Sequence, residues 1–257
     1  MNTELLDRFD AKMRSIWKGA RVLSLSIPGP IVATYVLALS YMNFFALKEF
    51  PLGKIAVIDC AFLLSWIPFI IADVLTKVLD FHAAVSMAIF GACCNFVFSL
   101  LMWFVTLIPS SFGLGSNPGM ERAITEILGS HGLIILGSGL SLVVATGVKG
   151  YCMYRLDKKL KDSYSVKTVY IEVVVSSLIG QLVDNTMFAF FSWFLLFHWS
   201  FRTIVCSILI KTAFELFMEM ICLPVGYISI NQFRDDGIGK DYLKFIEGEK
   251  AKKLKQN

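Results

Sequence analysis

The sequence predicts an all-α integral membrane protein, a bundle of six transmembrane helices. Three observations carry that prediction. Of 257 residues, 56% are apolar or aromatic and only 17% are charged, against about 25% in ordinary soluble domains; mean hydropathy is +0.66. The apolar residues gather into six runs, each long enough to cross a bilayer, which takes about 20 residues in a helix. Lysine and arginine are sorted onto alternate linking segments, as the positive-inside rule requires.

The first run extends from Val22 to Leu47 and contains Pro28 and Pro30. The second covers Ile55 to Leu79 and the third Ala83 to Ile108. A Gly/Ser/Pro-rich loop, Pro109 to Gly119, separates them from the fourth, Ile124 to Tyr151, whose start is interrupted by Glu126, His131 and several glycines. The fifth covers Tyr170 to Phe197 and the sixth Thr203 to Ile230. These runs are too long for barrel strands and do not alternate, so helices must satisfy the backbone within lipid. Residues 1–21 form a basic, acid-containing N-terminal segment, 22–230 the transmembrane domain and 231–257 a Lys-rich tail. The first apolar run lacks a small-residue cleavage pattern and is expected to be retained.

Six crossings place the N-terminal segment (Arg8, Lys12, Arg14, Lys18, Arg21), the loop after the fourth span (Arg155, Lys158, Lys159, Lys161, Lys167) and the tail on one side. That side holds 17 Lys and Arg, and the opposite loops hold four, Lys48, Lys54, Arg122 and Arg202. Both termini are therefore expected in the cytoplasm of a cell whose plasma or inner membrane carries the protein. The tail mixes Lys with acids, which fits a solvated juxtamembrane segment rather than a nucleic-acid arm.

The composition excludes disordered, collagen-like and coiled-coil chains. Cys60, Cys93, Cys94, Cys152, Cys206 and Cys222 make no Cys-x-x-Cys pair and lie in or beside apolar runs, so no disulfide framework or zinc site is expected. His82, His131 and His198 share no metal-ligand spacing, and no nucleophile elbow or phosphate loop is present. No catalytic residue, cofactor or metal follows, and an enzyme is not expected.

The informative residues are polar ones at membrane depth, where each charge costs roughly 2.5–3.5 kcal/mol on insertion scales. They are Asp59, Asp73 and Lys77 in span two, Asn95 in span three, Glu172, Gln181, Asp184 and Asn185 in span five, and Lys211, Glu215 and Glu219 in span six. Gln181, Asp184, Asn185 and Phe188 recur at i, i+3, i+4 and i+7, one face of a helix. Asp73 and Lys77, Lys211 and Glu215, and Glu215 and Glu219 stand four apart, so each can interact along its own helix. Interhelical glue explains any single member; the set together points to a hydrated or ligand-filled chamber. Trp66, Trp103, Trp193, Phe190 and Phe191 read chiefly as lipid-facing or interfacial residues, whereas Phe188 lies on the polar stripe.

Two segments resemble the queuosine precursor transporters, also called the vitamin uptake transporter family. Pro68-Phe-Ile-Ile-Ala-Asp73-Val-Leu-Thr76 is similar to the family's span-two motif, and Ser176-Ser-Leu-Ile-Gly-Gln181-Leu-Val-Asp184-Asn-Thr-Met-Phe188 to its span-five motif. Lys211 followed by Pro224 resembles the family's last span. The likeness covers roughly Ile55 to Ile230. It implies uptake of a 7-deazapurine base such as preQ0, preQ1 or queuine, a precursor for tRNA modification, on a fold similar to the substrate-binding subunits of energy-coupling-factor importers. It also implies Asp73, Thr76, Gln181, Asp184, Asn185, Phe188 and Lys211 as substrate-binding residues, to which the polar set at membrane depth adds Asn95. The departures are Lys77, Leu79 and Asp80 where the family continues with Glu, an aromatic residue and Gly, and Glu172 where it often has Arg. A charge-reversed Lys77–Glu172 pair across spans two and five follows as an expectation, with Glu215 as the acid for Lys211.

The expected partners are a nucleobase-like small molecule and membrane lipid, with no nucleic acid. A transporter acting without an ATPase module, as a homodimer, is the leading expectation. Gly29 and Ala33 give the first span one small-residue pair, not the alanine pair typical of subunits that dock on an energising complex. The alternatives are such a binding subunit or, in a different class, a membrane-embedded scaffold or enzyme. The scaffold predicts polar residues that satisfy one another completely.

Overall fold

A computed structural model describes residues 17–53, 56–108, 117–160, 164–194 and 200–256. Arg8, Lys12, Arg14, Lys54, Lys161 and His198 lie outside the described residues, as do the side chains of His131 and Trp193.

Helix α1 (Trp17–Ser26) and helix α2 (Gly29–Phe45) meet at an angle of 102°. The sequence reading of one continuous span from Val22 to Leu47 is corrected here. Pro28 offers no N–H, and its ring excludes the preceding carbonyl from a helical bond. The chain therefore turns before α2 starts, with prolines at its first positions. A second correction concerns span two. Strands β1 (Glu49–Leu52) and β2 (Ala56–Asp59) form an antiparallel hairpin, pairing Glu49 with Asp59 and Leu52 with Ala56. Ala56, Val57 and Ile58 thus start no helix. Val and Ile fit a pleated, half-buried surface, and Gly53 at φ 66° stands in the connection. Helix α3 (Phe62–Val78) has 17 residues, about 25 Å of length.

Helix α4 (Phe81–Thr106) follows almost directly. Helix α5 (Pro118–Asp157) has 40 residues, so the weakest of the sequence-read spans is the longest helix. Asn117 caps it, accepting from the N–H groups of Gly119 at 3.0 Å and Met120 at 3.4 Å, which orphan donors at a helix start require. The loop expected to end at Gly119 therefore ends at Asn117, with 109–116 outside the described residues. Helix α6 (Val166–Phe188) runs on into a π-helical turn, Ala189–Phe194. Helix α7 (Phe201–Asp235) is capped by Ser200 and contains Pro224. The tail is not merely solvated. It folds as helix α8 (Lys240–Gln256), set off by Gly237 and Gly239 at φ 67° and 83°. At Gly239 a Cβ would lie 1.8 Å from Leu79 Cδ2, so both conformation and space demand glycine there.

Among the described residues three helices, α4, α5 and α6 with its π turn, are long and apolar enough to cross a membrane, and the bent α1–α2 pair would make a fourth. α3 is short for such a span, and α7 carries Lys211, Glu215 and Glu219 in its apolar part. The helices share two ends. Lys77 near the end of α3 touches Asp157 at the end of α5 and Glu172 early in α6. Tyr242 of α8 packs in the same core cluster as Leu23, Ile27 and Leu79. At the other end the hairpin lies against α7, where the Val57 N–H donates to Ser207 Oγ at 3.0 Å. The wide apolar faces of α4, with Phe90, Leu101, Trp103 and Phe104 exposed, suit a lipid surround rather than water.

Candidate functional site

Helices α6 and α7 carry the centre of the polar interior. Ser177, Gln181 and Asn185 recur every four residues along α6, and Glu219, Glu215 and Thr212 answer them along α7. Ser177 Oγ donates to Glu219 Oε1 at 2.7 Å, and Gln181 Nε2 donates to Glu219 Oε2 at 2.6 Å. One turn on, Asn185 Nδ2 donates to Glu215 Oε2 at 2.7 Å and to Thr212 Oγ1 at 3.1 Å. Ser177, Gln181 and Asn185 have no exposed surface. Burial of this kind costs little only where each polar group finds a partner.

Lys149 of α5 joins this ladder to α3. Its ammonium donates to Glu219 Oε1 at 2.7 Å, Asp73 Oδ2 at 3.0 Å and the Phe69 carbonyl at 3.3 Å. All three of its protons are thereby used. It also stands 4.8 Å from the Phe69 ring centroid. Close approach of α5 to α6 depends on Gly180, where a Cβ would meet Lys149 Cβ at 2.8 Å. The sequence reading did not include Lys149. Its signal was available: a lone lysine between Gly147 and Gly150 in an apolar run.

The second cluster surrounds Lys211. Its ammonium donates to Asp59 Oδ2 at 2.7 Å and lies 4.0 Å from Glu215 Oε1. Asp59, rather than the expected Glu215, is thus the nearer acid, because the hairpin folds it back against α7. Its other oxygen accepts the Ala61 N–H at 3.0 Å. Phe188 packs 4.8 Å beneath the Lys211 ammonium, so a cation already occupies a face of that ring. Asp184 is half-buried and acts electrostatically on Lys211, Glu215 and the Tyr35 hydroxyl. The Ser141 hydroxyl of α5 lies within hydrogen-bonding range of its carboxylate.

Lys77 pairs with Glu172 at 2.6 Å and also with Asp157. Among the described residues, Asp73 pairs with Lys149 of α5 rather than with Lys77 along its own helix. Thr76 stands apart from the α6 stripe and lines a cleft of about 260 Å³ with Lys77, Asp80 and Asp157, closed on one side by Leu243 and Ile246 of α8. Asn95 joins α4 to α2, accepting from Asn43 Nδ2 at 3.3 Å and donating to the Gly91 carbonyl at 3.0 Å. Of the expected binding residues, the structure brings together Gln181, Asp184, Asn185, Phe188 and Lys211. Asp73 connects to them through Lys149 and Glu219, whereas Thr76 and Asn95 sit in separate surroundings.

Several buried atoms remain without a hydrogen-bond partner: Gln181 Oε1, Asp184 Oδ1, Asn185 Oδ1 and the Tyr35 hydroxyl among them. Such atoms are rare in folded proteins, and each calls for an explanation. Tyr35 reaches inward because Gly91 admits its ring; a Cβ on Gly91 would lie 2.8 Å from Tyr35 Cε1. Among the described residues no group of three or more His, Cys, Asp or Glu is arranged to hold a metal ion.

Amides, carboxylates and enclosed acceptors are thus gathered between α6 and α7. A family described as "Putative vitamin uptake transporter" matches residues 59–229, two-thirds of the chain. The chain belongs to that family. The matched region begins at Asp59 and takes in α3 to α7, with every residue of the Lys149 and Lys211 clusters except Tyr35. No curated protein and no solved structure matches the chain. Membership makes it a multi-pass membrane transporter of the vitamin uptake class, in keeping with its apolar helices.

Proposed function

We propose that this vitamin uptake transporter imports a queuosine precursor, a 7-deazapurine base, and holds it against α6 between Tyr35, Asp184 and Asn185. One observation supports this reading above the others. Gln181, Asp184 and Asn185 present three unpartnered buried oxygens from one helix face. A flat heterocycle with N–H groups on its edge would satisfy them, and a scaffold whose polar groups merely satisfy one another would not leave them. Lys149, Lys77 and their acids hold the surrounding helices together, and Gln181 and Asn185 divide their amides between helix and ligand.

The reading includes six crossings by α2 to α7, with both termini in the cytoplasm and the protein acting without an ATPase module, as a homodimer. Alternating exposure would come from rocking of helices around the α6 site. The test is uptake of a labelled 7-deazapurine into cells or vesicles that lack any energising complex. The expected result is uptake by the wild type and its loss in Asp184→Ala, with membrane insertion unchanged. Retained uptake in both Asp184→Ala and Gln181→Ala would exclude the site.

A further inference from the structure

We infer, resting on this transport site, that its ligand binds as a cation and through N–H donors, and that a neutral ligand of the same shape is discriminated against. Two independent features lead there. The first is the direction of the amides. The amide nitrogens of Gln181 and Asn185 are committed to carboxylates at 2.6 and 2.7 Å. Turning either amide over would press its oxygen against a carboxylate oxygen, so the outward atoms are fixed as acceptors. With Asp184 Oδ1 they give α6 three buried acceptors without a hydrogen-bond partner among the described residues. A ligand meeting them must bring the protons.

The second is charge. Lys211 is the ammonium of its cluster, and three carboxylates act on it: Asp59, Glu215 and Asp184. Asp59 is satisfied by Lys211 and the Ala61 N–H, and Glu215 by Asn185. Asp184 has the Ser141 hydroxyl on one side and an unpartnered oxygen on the other. From α2, Tyr35 is 1% exposed and its hydroxyl is also unpartnered among the described residues. The cluster thus sets three carboxyl groups against one ammonium at membrane depth, where an uncompensated charge is costly. A positively charged nitrogen beside Asp184 Oδ1 relieves both deficits together. Tyr35, outside the family's matched region, then becomes a specificity residue, its hydroxyl oxygen accepting from the same charged group.

Two probes with one ring system separate the possibilities: 7-aminomethyl-7-deazaguanine, an ammonium at neutral pH, and 7-cyano-7-deazaguanine, which is neutral. Both are titrated into the purified full chain in detergent, in potassium buffer, by calorimetry and melting temperature. The aminomethyl compound should bind at least about tenfold tighter, the scale of one charge-assisted hydrogen bond. Asp184→Asn, which keeps size and removes charge, should erase most of that ratio. Equal or tighter binding of the cyano compound overturns the inference and leaves the transport reading standing. Binding of neither compound overturns the transport reading itself. Sodium chloride alone raising the melting temperature and displacing the amine would show the oxygens reading a metal ion, which also overturns the inference. The wild-type comparison decides the matter even if the variant fails to fold.

Discussion

Lys149 shows how much one side chain can organise. It lies 2% exposed, with its protons shared among α3 and α7 acceptors. Removing one partner of a buried ionic group leaves the other charges uncompensated, at about 3–5 kcal/mol. Lys149→Met should therefore destabilise the protein by that amount, measured as resistance to unfolding in mixed micelles, because Asp73 and Glu219 stay buried together. Gly180→Ala should cost about 1–3 kcal/mol by overpacking against Lys149 Cβ. The two changes share one contact, so the double variant should be less destabilised than their sum. Strict additivity would mean that Gly180 acts elsewhere. At this scale the sequence was only partly readable. The α6 stripe was visible because its residues share one helix and one period. Asp59 and Lys149 were not recognised as partners of Lys211 and Asp73, since a pairing between helices has no period in the chain.

Elements were read well where hydrophobic length decides them and poorly where a backbone exception intervenes. α4, α6 with its π turn, and α7 begin and end within a few residues of their apolar runs, apart from the extension of α7 to Asp235. Pro28 broke the first run and the β1–β2 hairpin shortened the second, because composition alone does not separate an apolar strand from an apolar helix. The α3–α6 link through Lys77 gives a direct test. Lys77→Glu and Glu172→Lys should each impair uptake, and the double exchange should recover part of it. Recovery is incomplete because Asp157 also faces Lys77 and would then face a glutamate. No recovery at all would mean the pair does not act as a unit. Helix α8 offers a second test. Burial, and then the Asp80 carboxylate, push the Tyr242 hydroxyl up to about 12. Its folded value exceeds the ordinary value near 10, so the neutral phenol favours docking of α8. That contribution is complete below pH 10 and is lost as pH rises towards 12. Tyrosinate absorbance should show one late-titrating group in the wild type that Tyr242→Phe removes. An unchanged difference spectrum would mean that Tyr242 is not held in the interface.

The whole molecule has a polarity that follows from where its charges sit. Arg155, Lys158, Lys159 and Lys167 flank the α5–α6 connection, and Arg234 with the lysines of α8 follows α7. The Lys77–Asp157–Glu172 cluster joins α3, α5 and α6 at that end, and α1 reaches α8 there, Gly19 lying against the Phe245 ring. Lys48, Arg122 and Arg202 belong to the hairpin end. If α2 to α7 each cross once, every basic segment falls on one side, including α1 and α8 beside each other. A five- or seven-crossing arrangement would force part of this basic surface, and the α1–α8 contact, across the bilayer against the positive-inside rule. Like α2, which also has 17 residues, α3 is a short crossing: its 17 residues cover about 25 Å against a hydrocarbon core of about 30 Å. The buried hairpin residues Ala56 and Ile58 extend its apolar reach, and local thinning of the bilayer can meet the remainder. Single cysteines placed at Gly53, Gly119, Lys159 and Gly248 in a background without the native six should therefore split into two groups. With a membrane-impermeant maleimide on intact cells, positions 53 and 119 should label; 159 and 248 should label only after permeabilisation. Labelling of 53 and 159 from the same face would rule out α3, α4 and α5 as three single passes, and with them the shared chamber that α6 completes.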